Sequence, residues 1–213
     1  MQPIQIAIVP VTPFAQNCSI LWCTKTMKGA VIDPGGDLDK IRAALAETGI
    51  TVEKILLTHG HVDHAAGAAE LAESLGVQVE GPGAADQFIM DDIPAMAAKY
   101  GIEGARAVTP DRYLAEGERV SVGELSLDVL HVPGHTPGHL VFVHRPVGVA
   151  IVGDTLFRGS VGRTDFPYGD SDLLISGIVG KLLPLGDNVV CLPGHGPVTS
   201  IGDEKANNPF LTR

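Results

Sequence analysis

The chain has 213 residues, 45% hydrophobic and 19% charged, a globular balance that excludes intrinsic disorder and predicts one domain over 1–213. Its net charge of −10, with no basic stripe to offset it, excludes extended nucleic-acid binding. No apolar run reaches the roughly 18 residues of a membrane span, and the opening MQPIQIAIVPVTPF is not a secretory leader, so a soluble cytoplasmic protein without membrane association is expected.

Along the chain, β-branched and apolar runs bounded by turn residues predict strands at 4–9, 18–23 and 30–32. Cys18 and Cys23 lie an odd number apart in the second strand and should point to opposite faces; with Cys191 they read as small buried thiols in a reduced setting. Asp33-Pro34-Gly35-Gly36 is a tight turn that either only reverses the chain or supports a site beside it. Residues 37–49 carry Leu38, Ile41, Ala44 and Leu45 on one helical stripe, closed by Gly49. A strand at 55–57, a helix at 65–75 ending at Gly76 and a strand at 77–79 follow. The segment 82–109, interrupted by Pro94, Gly101 and Gly104, predicts an insertion with two small helices. Strands at 125–132, 140–143 and 149–152 precede a helix at 171–183 and a last strand at 189–192. Consecutive strands, with helices closing each half, predict two sheets packed face to face with helices outside.

Four apolar runs end in a potential metal ligand: KILLT at His59, LDVLHVPG at His135, VAIVG at Asp154 and VVCLPG at His195. Loops at strand ends are where rigid scaffolds display functional groups, and Gly60, Gly134, Gly153 and Gly194 let the backbone bend tightly there. THGHVDH adds His61, Asp63 and His64, a density of ligands that packing alone explains poorly. Imidazole and carboxylate suit zinc first, and also iron or manganese. Seven ligands exceed the needs of one ion and predict two divalent ions about 3.5–4 Å apart, with Asp154 able to bridge them. A hydroxide between the ions is then the expected nucleophile at neutral pH, and metal-assisted hydrolysis the reaction class. His131, His139 and His144 lack the glycine-flanked setting and fall outside the ligand set, His139 either packing or steadying a ligand.

THGHVDH, PGHTPGH, GDTLF and PGHG, in that order, resemble the metallo-β-lactamase fold hydrolases across nearly the whole chain, and GRTDFP, PVTPFAQNCSILWC and VDPGGD are similar to the YcbL-type, glyoxalase II-like group. The resemblance implies an α+β fold, a four-layer αββα sandwich of two facing mixed sheets with outer helices and metals at their shared edge. It places His59, His61 and His135 on one ion, Asp63, His64 and His195 on the other and Asp154 between, with Asp63 and Asp154 as catalytic residues beside the hydroxide. The implied activity is hydrolysis of S-acylglutathione thioesters such as S-D-lactoylglutathione, so the implied partner is a small glutathione conjugate. A single domain without the extra C-terminal helical domain of full-length glyoxalase II is expected. Arg163 stands where a substrate-contacting lysine is implied, with an ion pair to Asp165 or Asp170 as the other reading. Alternatives are hydrolysis of another ester or lactone, or an oxidoreductase of the persulfide dioxygenase kind, with one iron on His59, His135 and Asp154.

Overall fold

Alternation of apolar residues along the strands assigns each side chain to one of three cores. In the computed structural model, which describes residues 3–212, Val31 and Ile55 point one way and Ala30, Ile32 and Leu56 the other. Met1 and Gln2, part of the segment read against a leader, and Arg213 lie outside the described residues. Cys18 enters the outer core and Cys23 the core between the sheets, on opposite faces as expected, and all three cysteines are free and buried.

The first sheet contains β1 (Ile4–Val11), β2 (Gln16–Cys23), β3 (Lys28–Ile32), β4 (Thr51–Leu56) and β5 (Gln78–Glu80) in that spatial order. β1, β2 and β3 pair antiparallel, while β3–β4 and β4–β5 are parallel, each joined by a helical crossover. These crossovers are α1 (Leu38–Thr48), then α2 (Val62–Ala65) with α3 (Ala68–Leu75). The next segment folds as α4 (Gln87–Asp91) and α5 (Ile93–Tyr100), the two small helices expected of 82–109. The second sheet has β6 (Arg119–Val122), β7 (Leu125–His131), β8 (Leu140–His144) and β9 (Val149–Gly153) in antiparallel sequence. A short hairpin of β10 (Leu156–Phe157) and β11 (Ser160–Val161) and the helix α6 (Ser171–Gly177) lead to β12 (Val190–Pro193), parallel to β9. β13 (Thr199–Ser200) completes the sheet and α7 (Ile201–Asn207) follows.

Phe142 and Leu127 fill the core between the sheets, while Val141 and Val143, one step away on β8, pack outward against Leu174, Ile178 and Leu182. Helices therefore cover the outer face of each mixed sheet, which is the expected four-layer sandwich. Two helices depart from expectation. The helix expected at 65–75 is interrupted around Gly67, whose N–H donates to Pro34 O at 2.9 Å instead of continuing the helical ladder. The one expected at 171–183 widens after Gly177 into a π-turn, Ile178–Leu182. Among the described residues no helix is long and apolar enough to cross a membrane.

Candidate metal centre

At one end of the sandwich the two sheets meet through backbone bonds: Asn17 N–H donates to Gly194 O at 2.7 Å, and Leu140 N–H to Thr58 O at 2.8 Å. The four loops read as ligand-bearing emerge at this seam, after β4, β7, β9 and β12. His61 caps the N-terminus of α2, which carries Asp63 and His64 in its first turn. Two glycines are required for the approach. Gly153 has φ +50°, and a Cβ on Gly194 would stand 2.2 Å from Asp154 Oδ1 and 2.5 Å from His64 Cε1.

All seven candidate ligands converge. His61 Nδ1 lies 3.1 Å from His59 Nε2 and 3.0 Å from His135 Nε2. Beside this triplet, His195 Nε2 is 3.1 Å from Asp63 Oδ2 and 3.4 Å from His64 Nε2. Asp154 reaches both groups: Oδ1 is 3.3 Å from His64 Nε2, and Oδ2 is 3.6 Å from His135 Nε2 and 3.5 Å from His195 Nε2.

The far nitrogen of each of the five candidate histidine ligands has a partner, and for four of them that partner fixes the near one. His135 Nδ1 donates to Arg163 O at 2.8 Å and His195 Nδ1 to Phe14 O at 3.3 Å, since a carbonyl can only accept. The Thr58 hydroxyl donates to Asp33 Oδ2 at 2.6 Å, so His59 Nδ1 must donate to Thr58 Oγ1 at 3.0 Å. His64 Nδ1 donates to the same carboxylate at 3.0 Å, and His61 Nε2 lies 2.9 Å from Tyr168 Oη. Asp33 thus supports the site, which settles the two readings of its turn.

Burial, reinforced by neighbouring imidazoles, holds His59 well below the usual histidine range and lowers His61 to about 3. His59 and His135 therefore aim bare Nε2 lone pairs at His61 Nδ1 across about 3 Å, a convergence of three neutral rings that suits a cation. On the other side burial opposes charge, yet the field of Asp154 and Asp63 raises His64 well above its ordinary value. Burial would likewise raise Asp154, but His64 outweighs it and holds the carboxyl far below the carboxylate range. Asp154 Oδ1 is buried without a well-formed hydrogen bond, a costly state for an anion that a second cation would relieve. The donor set, imidazole and carboxylate in two triplets, fits divalent metal ions.

Three supports, Asp86, Thr58 and Tyr168, carry no sequence signal, and His139 joins them. Asp86 is buried and accepts from Gly60 N–H (2.9 Å), Gly138 N–H (2.6 Å) and Thr136 Oγ1–H (2.8 Å), tying the loop of His59 and His61 to that of His135. His139 both packs and supports: it stacks on His59 with ring centroids 4.7 Å apart and accepts from Asp154 N–H at 3.0 Å. Thr58 sets the tautomer of His59, and Tyr168 orients the His61 ring. His131 and His144 donate to Pro137 O and Ser126 O, outside the cluster.

The site opens into a cleft of about 540 Å³ between α5 and the segment that follows β11. Arg163 stands on its rim, paired through two nitrogens with Asp165 at 2.7 and 2.8 Å and lying over the Phe166 ring at 4.6 Å. The expected ion pair is therefore made with Asp165, from a position that still faces the cleft.

A family model described as the metallo-beta-lactamase superfamily matches residues 11–195. Hydroxyacylglutathione hydrolase GloC of Haemophilus influenzae is 44% identical over 207 residues, 97% of each chain. Among solved structures, the BLEG-1 B3 metallo-beta-lactamase superposes with a TM-score of 0.90 at 31% identity, covering 98% of this chain and all of that one. TTHA1623, solved in a di-iron-bound form, gives 0.87 at 36% identity over 96% of this chain and 100% of its own. Fold, ligand seam and relatives define the class, a metal-dependent hydrolase. The chain belongs to the metallo-beta-lactamase superfamily.

Proposed function

We propose that this chain is a dinuclear hydrolase of S-acylglutathione thioesters such as S-D-lactoylglutathione, working as a single domain in the cytosol. The observation that carries the reading is the convergence of five histidines, each with its outer nitrogen already bonded, around Asp154. The activity named for the Haemophilus relative supports the substrate class. In this reading His59, His61 and His135 would hold one ion and Asp63, His64 and His195 the other, with Asp154, in contact with both groups, available to either. Zinc is our first assignment; iron and manganese suit the same donors, and one relative holds iron.

Divalent ions held there would supply Lewis acidity to water and to the acyl carbonyl. The chain's own contribution is orientation. Asp63 and Asp154 stay anionic beside the reacting centre, Asp33 and Thr58 hold His59 and His64 in one tautomer, and Tyr168 orients the ring of His61. A thiol leaves as thiolate with an ordinary pKa of about 8.5, so no side-chain acid is required. Arg163, at the rim, is our candidate for a substrate carboxylate.

Purified protein should contain close to two divalent ions per chain and hydrolyse S-D-lactoylglutathione. Asp154→Asn should lower metal content by about one ion and kcat/KM by roughly 100-fold or more, an interaction removed from the transition state. Unchanged metal content and rate would remove Asp154 from the site. Oxygen uptake with glutathione persulfide, or opening of a chromogenic cephalosporin, at a rate above thioester cleavage would replace the substrate assignment.

A further inference from the structure

Of the six Phe, three Tyr and one Trp in the chain, four Phe and two Tyr line the cleft over the candidate metal centre. They form two walls. Phe166 stacks on Tyr168 at 5.3 Å and 10°, with Phe88 edge-on to Tyr168 at 5.3 Å, on the side of His61. Phe14 packs edge-on against Tyr100 at 5.2 Å and Phe157 lies edge-on to His195 at 6.3 Å, on the side of His195. Phe88 is 51% exposed, Phe14 41% and Tyr100 39%, although folding normally keeps such rings covered.

Charge is sparse in the same cleft. Apart from the candidate ligands, the charged residues that line it among the described residues are Asp92 and Arg163, and both Arg163 contacts with Asp165 already occupy its guanidinium edge. The carboxylates of a glutathione conjugate meet one cation that is already paired, whereas any apolar group beside the scissile carbonyl meets aromatic surface on either flank.

We infer that this site selects its substrate by an apolar, aryl or cycloalkyl, group next to the scissile carbonyl, gripped between the two aromatic walls. The inference rests on the thioesterase reading above and specifies which thioesters it favours. Glutathione is the carrier, and the acyl side chain supplies the discrimination. Lactoyl, with only a methyl group there, leaves the walls largely unused. The hydrolytic step is unchanged: water adds its oxygen to the acyl carbon, the C–S bond breaks and the thiolate takes up a proton from solvent.

The test holds thiol and α-hydroxyl constant and varies one substituent, comparing S-lactoyl-, S-mandeloyl- and S-hexahydromandeloylglutathione; the cyclohexyl compound separates apolar contact from electronic activation by the phenyl ring. We expect kcat/KM for both ring compounds to exceed that for lactoyl by roughly tenfold or more, the scale of apolar discrimination in a pocket. Phe88→Ala and Tyr100→Ala, both at partly exposed positions, should shrink that ratio several-fold, and Phe88→Leu should restore part of it. In parallel, calorimetry on the protein as purified should show S-benzylglutathione, which cannot be hydrolysed, binding roughly tenfold tighter than S-methylglutathione, with the gap reduced in Phe88→Ala. A ratio near one in the wild type, or one indifferent to both alanine variants, overturns the inference. Absence of turnover for all three thioesters with the thioether gap intact would defeat the thioesterase reading and sustain the apolar selection; no gap in either series would overturn it.

Discussion

Asp86 shows how one side chain outside the candidate ligand set governs its geometry. Its two oxygens receive three hydrogen bonds from the loops on either side of the first histidine triplet, and burial raises its pKa against those bonds. Replacing a carboxylate oxygen by an amide NH₂ turns a donor toward donors, so Asp86→Asn should cost about 2–3 kcal/mol and weaken metal retention, measured by urea unfolding and elemental analysis. Retained metal and stability would reduce Asp86 to a spectator. The five converging histidines and two aspartates were legible because each stands at a strand end or in THGHVDH. Asp86 was not, because its partners are two backbone N–H groups and a hydroxyl that only the fold brings near. The same holds for Arg163 O and Phe14 O, the carbonyls that fix two tautomers and leave no mark on residue identity.

Elements were legible in proportion to how fully they are buried. All nine expected strands are present, with ends displaced by a few residues, because β-branched runs such as VAIV sit between two cores. β6 (Arg119–Val122) leaves little periodic signal: it is four residues long and alternates exposed Arg119 and Ser121 with buried Val120 and Val122. β10, β11 and β13, of two residues each, are too short for any period to register. The break between α2 and α3 likewise depends on Pro34 O, a partner distant in sequence. β8 is buried along all five residues, with Phe142 fully enclosed between the sheets. Phe142→Ala should therefore cost about 3–5 kcal/mol, read as a lower urea midpoint at unchanged slope. A loss below 1 kcal/mol would mean that the two sheets are less closely packed than described.

The whole molecule is tied across its sheets by charge as well as by apolar surface. Glu53 on β4 accepts from Gly123 N–H of the second sheet's first hairpin at 2.8 Å and pairs with Lys28 at 2.7 Å. Partial burial pushes its carboxyl up, but these partners prevail and hold it below the usual range. Glu116, with Lys181 and the His131 N–H overcoming burial, and Asp128, with Arg145 foremost, shift the same way. A carboxylate with a depressed folded pKa stabilises fully above its unfolded value, near 4, and loses that contribution as pH falls through the folded value. Unfolding free energy should accordingly change little from these groups between about pH 7 and 5 and decline below about 4. Glu53→Gln should flatten that acid limb in urea titrations at graded pH; an unaltered limb would show that Glu53 does not couple the sheets.

Because the candidate ligands come from both sheets, a cation there would act as a rivet between the halves of the sandwich. Occupancy of such a rivet and resistance to unfolding rise together, by about 2.7 kcal/mol for each ion supplied at a hundredfold excess over its dissociation constant. Scarcity of metal would then slacken the scaffold before it silenced the chemistry, leaving chains open to proteases in a starved cell while well-supplied ones persist.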